Sequence, residues 1–230
     1  IHMHVGSGVL NAEPFVLALD KLLSVAKRVH DEVGVTFEFV DMGGGIGIPY
    51  KPEDKPLDLS IFSEKVLSLF KRRVNEDSLG EPFFCVEPGR YLVCDASILL
   101  TRVNTVKVTP FKRFAGVDAG FNTLVRPTMY GSYHHVLVAN KLDAPDEETY
   151  DVAGPVCESG DLLAKDRRLP KIQEGDLLAV LNAGAYGYAM SSQYNARPRA
   201  AEVLVKDGKC AVTRERERLD ALVSGQRVAE

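Results

Sequence analysis

Three apolar, β-rich runs that each end in glycine or charged residues set the strongest constraint on how the first part of this chain can fold. They are "IHMHVGSG", "VTFEFVDM" running into "GGGIG", and "PFFCVEPGR". Helix-forming sequence lies between them. In the first such stretch Asn11 is placed to cap the N-terminus and Pro14 is tolerated in the first turn. Phe15, Leu19, Leu22, Ala26, Val29 and Val33 then recur at steps of four and three, which predicts one buried stripe, and Gly34 is placed to end the helix. Leu59, Phe62, Val66 and Leu69 repeat the stripe in a second helix. Strands alternating with helices imply a parallel sheet. In such sheets ligand sites lie beyond the carboxyl ends of the strands, where these glycines and charges fall.

From about residue 97 the texture changes. "SILLTRVNTVKV", "RFAGVDA", "HHVLVAN", "TYDVAG", "DLLAVLNAG" and "AEVLVKDGKCAV" are short β-branched runs separated by Gly, Pro, Asp and Asn, the pattern of an all-β domain. "KDGK" has the Asp-Gly of a tight hairpin, and "RERERLDALV" is expected to close the chain as a short helix. The expected fold is α/β plus β: a partial (β/α) unit over residues 1–95, then a β domain over residues 96–230. Three parallel strands are too few to close a barrel, and the first is too apolar for an edge. Two explanations stand: "HMHVGSG" is a cloning scar, or the chain is the C-terminal part of a longer enzyme whose missing segment supplies the other strands.

The bulk numbers exclude several classes. A net charge of −4 and a pI near 5.8, with no basic face evident, argue against nucleic-acid binding. The longest nearly charge-free stretches fall short of a membrane span, and no secretory signal is visible. Cys85, Cys94, Cys157 and Cys210 show no C-x-x-C spacing, which weighs against zinc and against a disulfide framework. No metal is expected, and the expected setting is reducing and cytoplasmic.

The polar clusters carry the chemistry. Gly43, Gly44 and Gly45 let backbone approach a ligand and expose N–H groups to an anion. The dinucleotide spacing G-x-G-x-x-G fails at Ile48, so a structural turn and a phosphate cradle both remain open. Glu87 and Arg90 share one turn at a strand end. They form either a solvated ion pair or a carboxylate held near the core, which then needs a cation or a changed protonation state. "DAGFNTLVRPTMYGSYHH" gathers Asp118, Asn122, Arg126, Tyr130 and His134, while "GPVCESGDLLAKDRRLP" and "NAGAYGYAMSSQYNARPR" are dense in Gly, Tyr, Cys, Glu and Arg where loops are expected.

Taken together, "HVGSG", "DMGGGIGIPY", "EPGRYLV", "DAGFNTLVRPTMY", "GPVCESGDLLAKDRRLP" and "GAYGYAMSSQYNARPR" resemble the diaminopimelate decarboxylases. These belong to the pyridoxal-phosphate-dependent decarboxylases of the alanine-racemase-like fold group. The motifs occur in that family's order and cover nearly the whole chain. The resemblance implies a (β/α)8 barrel followed by a β-sandwich, in chains nearly twice as long as this one. It implies that His4 lies against the pyridine ring and that Ser7, Gly44, Gly45, Arg90 and Tyr186 hold the phosphate. Glu87 would face the ring nitrogen, where a carboxylate favours the proton that makes the ring a better electron sink.

For the substrate, the resemblance assigns the distal carboxylate of meso-diaminopimelate to Arg126 and Tyr130, with Arg90 and Tyr186 alongside, and the distal ammonium to Glu158. Cys157 is the implied proton donor, reaching with Glu158 into a neighbouring subunit's site, so a homodimer is implied. The lysine that carries the cofactor in this family lies near the start of the barrel. None of the lysines here has that setting: Lys21 and Lys65 fall in predicted helices, Lys107 and Lys112 in the β domain. The implied activity is decarboxylation of diaminopimelate to lysine, by a chain joined to a missing N-terminal barrel segment. A decarboxylase of another basic amino acid or polyamine precursor, and a non-catalytic binding or assembly domain, are the alternatives.

Overall fold

A computed structural model describes residues 1–228, which fall into two units, Ile1–Cys94 and a second beginning at Asp95. In the first unit, β1 (Phe39–Asp41) pairs in parallel with β2 (Phe83–Cys85). On its other side lies the extended segment 1–9, also parallel, bridged at His2–Asp41 and Val9–Ile46. Met3 N–H donates to the Asp41 carbonyl (3.1 Å) and Val9 N–H to the Gly45 carbonyl (2.9 Å). The segment is not a continuous strand. Gly6 at φ 125° and Gly8 at φ 78° bend it out of the ladder, a conformation open to glycine and closed to most side chains.

Helix α1 (Glu13–Val33) and helix α2 (Leu59–Glu76) cover this sheet. Phe15, Leu19, Leu22 and Ala26 are buried as the stripe predicts, joined by Leu23, and Phe15 meets Phe62 edge-on at 5.2 Å. Burial of each phenylalanine or leucine side chain among them is worth about 1.5–3 kcal/mol. The stripe is shorter than its sequence pattern: Val33 and Leu59 sit at helix ends and are exposed. Asn11 does not cap α1. The cap position is Ala12, buried, whose carbonyl accepts from Val16 N–H, so the helix begins one residue later. Gly34, at φ 72°, does end it, donating to the His30 carbonyl. Asp58 caps α2, accepting from Ser60 and Ile61 N–H. The short helix α3 (Gly89–Val93) follows β2.

The second unit is built on a six-stranded sheet in the order β5-β8-β3-β4-β6-β7. The strands are β3 (Leu99–Val108), β4 (Arg113–Val117), β5 (Val136–Val138), β6 (Glu148–Ala153), β7 (Leu162–Leu169) and β8 (Leu177–Val180). Every pairing is antiparallel except β4 with β6, and the edge strands β5 and β7 approach one another, so the sheet is nearly closed. Val103, Val117, Leu124, Val152, Leu163 and Leu178 are among the buried side chains of its core. Strands β9 (Glu202–Lys206) and β10 (Lys209–Arg214) form the expected hairpin, with Asp207 and Gly208 both at positive φ as a type I′ turn requires.

Three local expectations change. "RPTMY" is the five-residue helix α4 (Arg126–Tyr130), ended by Gly131 at φ 63°. "DLLAKDRRL", grouped above with the loops, is largely strand β7. The C-terminal helix is only a 3₁₀ turn over Leu219–Val223, because Arg214 completes β10 and the alternating charges after it offer no apolar stripe. No helix among the described residues is long and apolar enough to cross a membrane.

Candidate active site

The site residues named from sequence fall into two groups, one in each unit. In the first unit, the ends of segment 1–9, β1 and β2 bring "HVGSG", "GGGIG" and "EPG" backbone to backbone. A Cβ on Gly44 would strike the Glu87 carbonyl oxygen, and one on Gly45, at φ 98°, would strike the Gly6 carbonyl oxygen. Close approach, then, is what these glycines supply. Gly44 N–H donates to His4 Nδ1 at 3.3 Å, which fixes the ring and makes Nδ1 the acceptor nitrogen. His4 and Ser7 are exposed at this surface, while Gly43 and Gly44 are buried.

Glu87 lies at the same strand ends, its backbone N–H held by the Gly43 carbonyl at 2.9 Å. Its carboxylate is not drawn into the core. The side chain is 56% exposed and its Oε2 lies 3.4 Å from His2 Nε2. Asp41 completes a convergence of three groups whose ligand atoms lie within 4.8 Å of one another. Asp41 also accepts from Gly43 N–H (2.8 Å), tying the glycine turn to the end of β1.

Arg90, in the first turn of α3, donates through Nη1 to the Tyr50 hydroxyl and lies over the Tyr50 ring, 5.6 Å from its centroid. That hydroxyl also meets Cys94 Sγ at 3.2 Å. Burial and the Cys94 thiol push the Tyr50 phenol upward against the opposing pull of Arg90, so it keeps its proton at neutral pH.

In the second unit, α4 and the segment after β8 set Arg126 close to two aromatic rings. Its guanidinium carbon is 5.3 Å from the Tyr130 centroid and 5.2 Å from the Tyr186 centroid. Nη2 donates to Ser132 Oγ (3.2 Å), and Nε is buried without a partner. Tyr186 is held at φ 60°, rare for a non-glycine residue, and Gly187 beside it has no room for a Cβ under the Ala183 carbonyl. Cys157 and Glu158 lie on the exposed turn between β6 and β7, with Asn195 Nδ2 3.3 Å from Cys157 Sγ. Thr128 of α4 donates to the Gly160 carbonyl (2.5 Å), so α4 and this turn are joined.

Asp161 organises that turn, and the sequence did not mark it. It is 4% exposed and accepts from Phe121 N–H (2.5 Å) and Val156 N–H (2.8 Å), which joins the "DAGF" and "GPVCESGD" segments. Gly120 and Gly154 make room for its carboxylate. Tyr50, His2, Thr128 and Asn195 were also missed. For Tyr50 a signal existed, because Pro49 and Pro52 stiffen the loop that carries it.

The first unit's donor set fits a phosphorylated pyridine. A hydroxyl (Ser7), a guanidinium (Arg90) and glycine backbone suit a dianion, and an imidazole and a carboxylate suit the ring's face and nitrogen. This chain belongs to the pyridoxal-dependent decarboxylases: the family model described as "Pyridoxal-dependent decarboxylase, C-terminal sheet domain" matches residues 16–184. Among named relatives, a diaminopimelate decarboxylase of Methanothermobacter thermautotrophicus is 62% identical over 229 residues, covering 99% of this chain and 53% of its own length. That of Archaeoglobus fulgidus is 51% identical over 230 residues, covering 100% of this chain and 54% of its own. A crystal structure of diaminopimelate decarboxylase from M. jannaschii in co-complex with L-lysine matches with a TM-score of 0.90 at 34% identity, over 99% of this chain and 51% of that one. The chain thus spans about half the length of the relatives it matches.

Proposed function

We propose that this chain is the C-terminal portion of a diaminopimelate decarboxylase that removes one carboxylate of meso-2,6-diaminopimelate to give L-lysine. In this reading residues 1–95 complete a (β/α)8 barrel with a segment not in this chain, and residues 96–230 form a β-sandwich domain. The observation that carries the choice of substrate is Arg126. A planar guanidinium oriented by the nearby Tyr130 and Tyr186 rings and by Ser132 suits a carboxylate at the far end of an amino acid, which it can pair with in a bidentate fork. The names of the relatives support the same substrate.

Bound pyridoxal phosphate supplies the electron sink that takes up the pair left when carbon dioxide departs. In this reading Ser7, Gly44, Gly45, Arg90 and Tyr186 would hold its phosphate. His4 would cover the face of the ring. Glu87 holds a proton on the ring nitrogen. Arg126 and Tyr130 take the distal carboxylate and Glu158 the distal ammonium. Cys157 delivers a proton to Cα, acting with Glu158 in the site of a second copy, so the active form is a homodimer; the setting proposed for it is the cytoplasm.

The test uses the protein that joins this chain to the missing barrel segment, assayed for carbon dioxide and product amine with meso-diaminopimelate, ornithine and arginine. Diaminopimelate alone turning over supports the reading, and preference for either of the others overturns it. Arg126→Ala should lower kcat/KM for diaminopimelate by about 10²-fold, the loss of one charged pair of about 3 kcal/mol. A joined protein that never binds the cofactor would favour a non-catalytic role.

A further inference from the structure

The "GIPYKPED" loop delivers one side chain, Tyr50, directly to Arg90. Ile46 and Ile48 are buried, and Pro49 and Pro52 restrict the backbone around Tyr50. Asp54 then closes the loop: its Oδ2 accepts from Tyr50 N–H (3.1 Å) and Lys51 N–H (3.0 Å), while its own N–H donates to the Lys51 carbonyl (3.1 Å). Tyr50 is therefore fixed at its backbone.

At its other end, the phenol meets two residues one turn apart at α3. Arg90 donates to the hydroxyl, and Cys94, fully buried, lies 3.2 Å from it. Cys94 N–H in turn donates to the Arg90 carbonyl at 3.0 Å, so the two side chains stand on the same face. A guanidinium can only donate, so the phenol oxygen accepts from Arg90. Arg90 thereby commits one N–H, and its orientation is set by a rigid loop forty positions earlier.

We propose that Tyr50 is a positioning residue, whose hydroxyl, bridging Arg90 and Cys94, aims the Arg90 guanidinium at an oxyanion. This rests on reading Arg90 as an oxyanion ligand, for the phosphate under Proposed function or for the substrate carboxylate as the family resemblance implies. The oxyanion is either the cofactor phosphate or a substrate carboxylate, and the two differ in how Tyr50→Phe behaves. The substitution keeps the ring and removes only the oxygen.

The experiment measures dissociation constants of pyridoxal phosphate and of pyridoxal, which lacks the phosphate, by equilibrium dialysis against the joined apo-protein, together with KM and kcat. If the phosphate is the target, Tyr50→Phe weakens pyridoxal phosphate by about tenfold and leaves pyridoxal unchanged. If a carboxylate is the target, cofactor affinity is unchanged and KM rises by about tenfold at near-constant kcat. In either case Tyr50→Phe added to Arg90→Ala produces no further loss. The proposal is overturned if Tyr50→Phe weakens pyridoxal and pyridoxal phosphate equally, if it changes nothing, or if its effect persists in full without Arg90. Should Arg90→Ala itself alter neither affinity nor KM, it is the underlying assignment of Arg90 that has failed.

Discussion

Replacing Asp161 with asparagine tests how the second unit holds its site turn. The carboxylate is 4% exposed and receives two backbone N–H groups, from Phe121 and Val156, one on each oxygen. Asparagine keeps the shape, but one oxygen becomes an NH2 group that faces a donor. One charge-assisted bond, worth about 1.5–3 kcal/mol, is lost and one buried N–H is left unpaired, for a combined cost of roughly 2–4 kcal/mol. The amide cannot rotate away cheaply, because Gly120 and Gly154 leave space for the carboxylate and little else. The backbone bonds Asp161 N–H to Glu158 O and Gly154 N–H to Asp161 O, each 2.9 Å, survive the change and limit the damage to the side chain. In differential scanning calorimetry the transition of this unit should fall by roughly 6–15 °C. The turn bearing Cys157 and Glu158 ends at this residue, so its thiol should also gain reactivity. A shift below about 1 °C would refute the reasoning, since it would mean that the two N–H groups find partners elsewhere at no cost.

Three further outcomes are expected. Burial acts to raise the Asp176 carboxyl, but Lys141, Asn140 and Gln173 N–H outweigh it and hold it below the ordinary carboxylate range. Stability from Asp176 is therefore fully present above the unfolded value of about 3.9 and is lost as pH falls through the lower folded value. Urea titrations should accordingly show Asp176→Asn destabilising at pH 7, with the gap to the parent closing below about pH 4. Gly45→Ala puts a methyl group into the Gly6 carbonyl at a backbone angle of 98°, and should cost at least about 2 kcal/mol in the same titration, with a neutral result overturning the close approach. Mass spectrometry after brief iodoacetamide treatment of the folded protein should find exposed Cys157 and Cys210 alkylated and buried Cys94 protected, and early labelling of Cys94 would contradict its burial.

Parts of both units were legible because their signals are local. The stripe from Phe15 to Ala26, the stop at Gly34 and the Asp-Gly turn of the hairpin each depend on residues a few positions apart. Where the sequence misled, a local signal was interrupted. Strand β7 reads poorly because Asp166 sits at φ 51° and its pairing with β6 shifts register twice, which breaks the inward–outward alternation. Helix α4 has five residues, too few to display a period. Asp161 was silent for another reason: its partners are backbone N–H groups, which every sequence possesses.

The glycines show why motif content and site content diverge. Gly43, Gly44 and Gly45 were read as either a structural turn or a phosphate cradle; each of them, and Gly47 as well, gives up its side-chain space to the backbone of a neighbouring segment, at Met3, Glu87, Gly6 and Gly8. Gly120 and Gly154 do the same for a buried carboxylate. In both units glycine first allows two chain segments to close together, and the polar groups that remain at the seam, His4 and Ser7 in one and Cys157 and Glu158 in the other, are where a ligand can then be met. A glycine-rich motif in this chain therefore marks a junction between segments, and its chemistry depends on which side chains the junction brings along. Tyr50 follows from the same logic: the loop leaving the glycine junction carries a phenol to Arg90, which a count of glycines could not reveal.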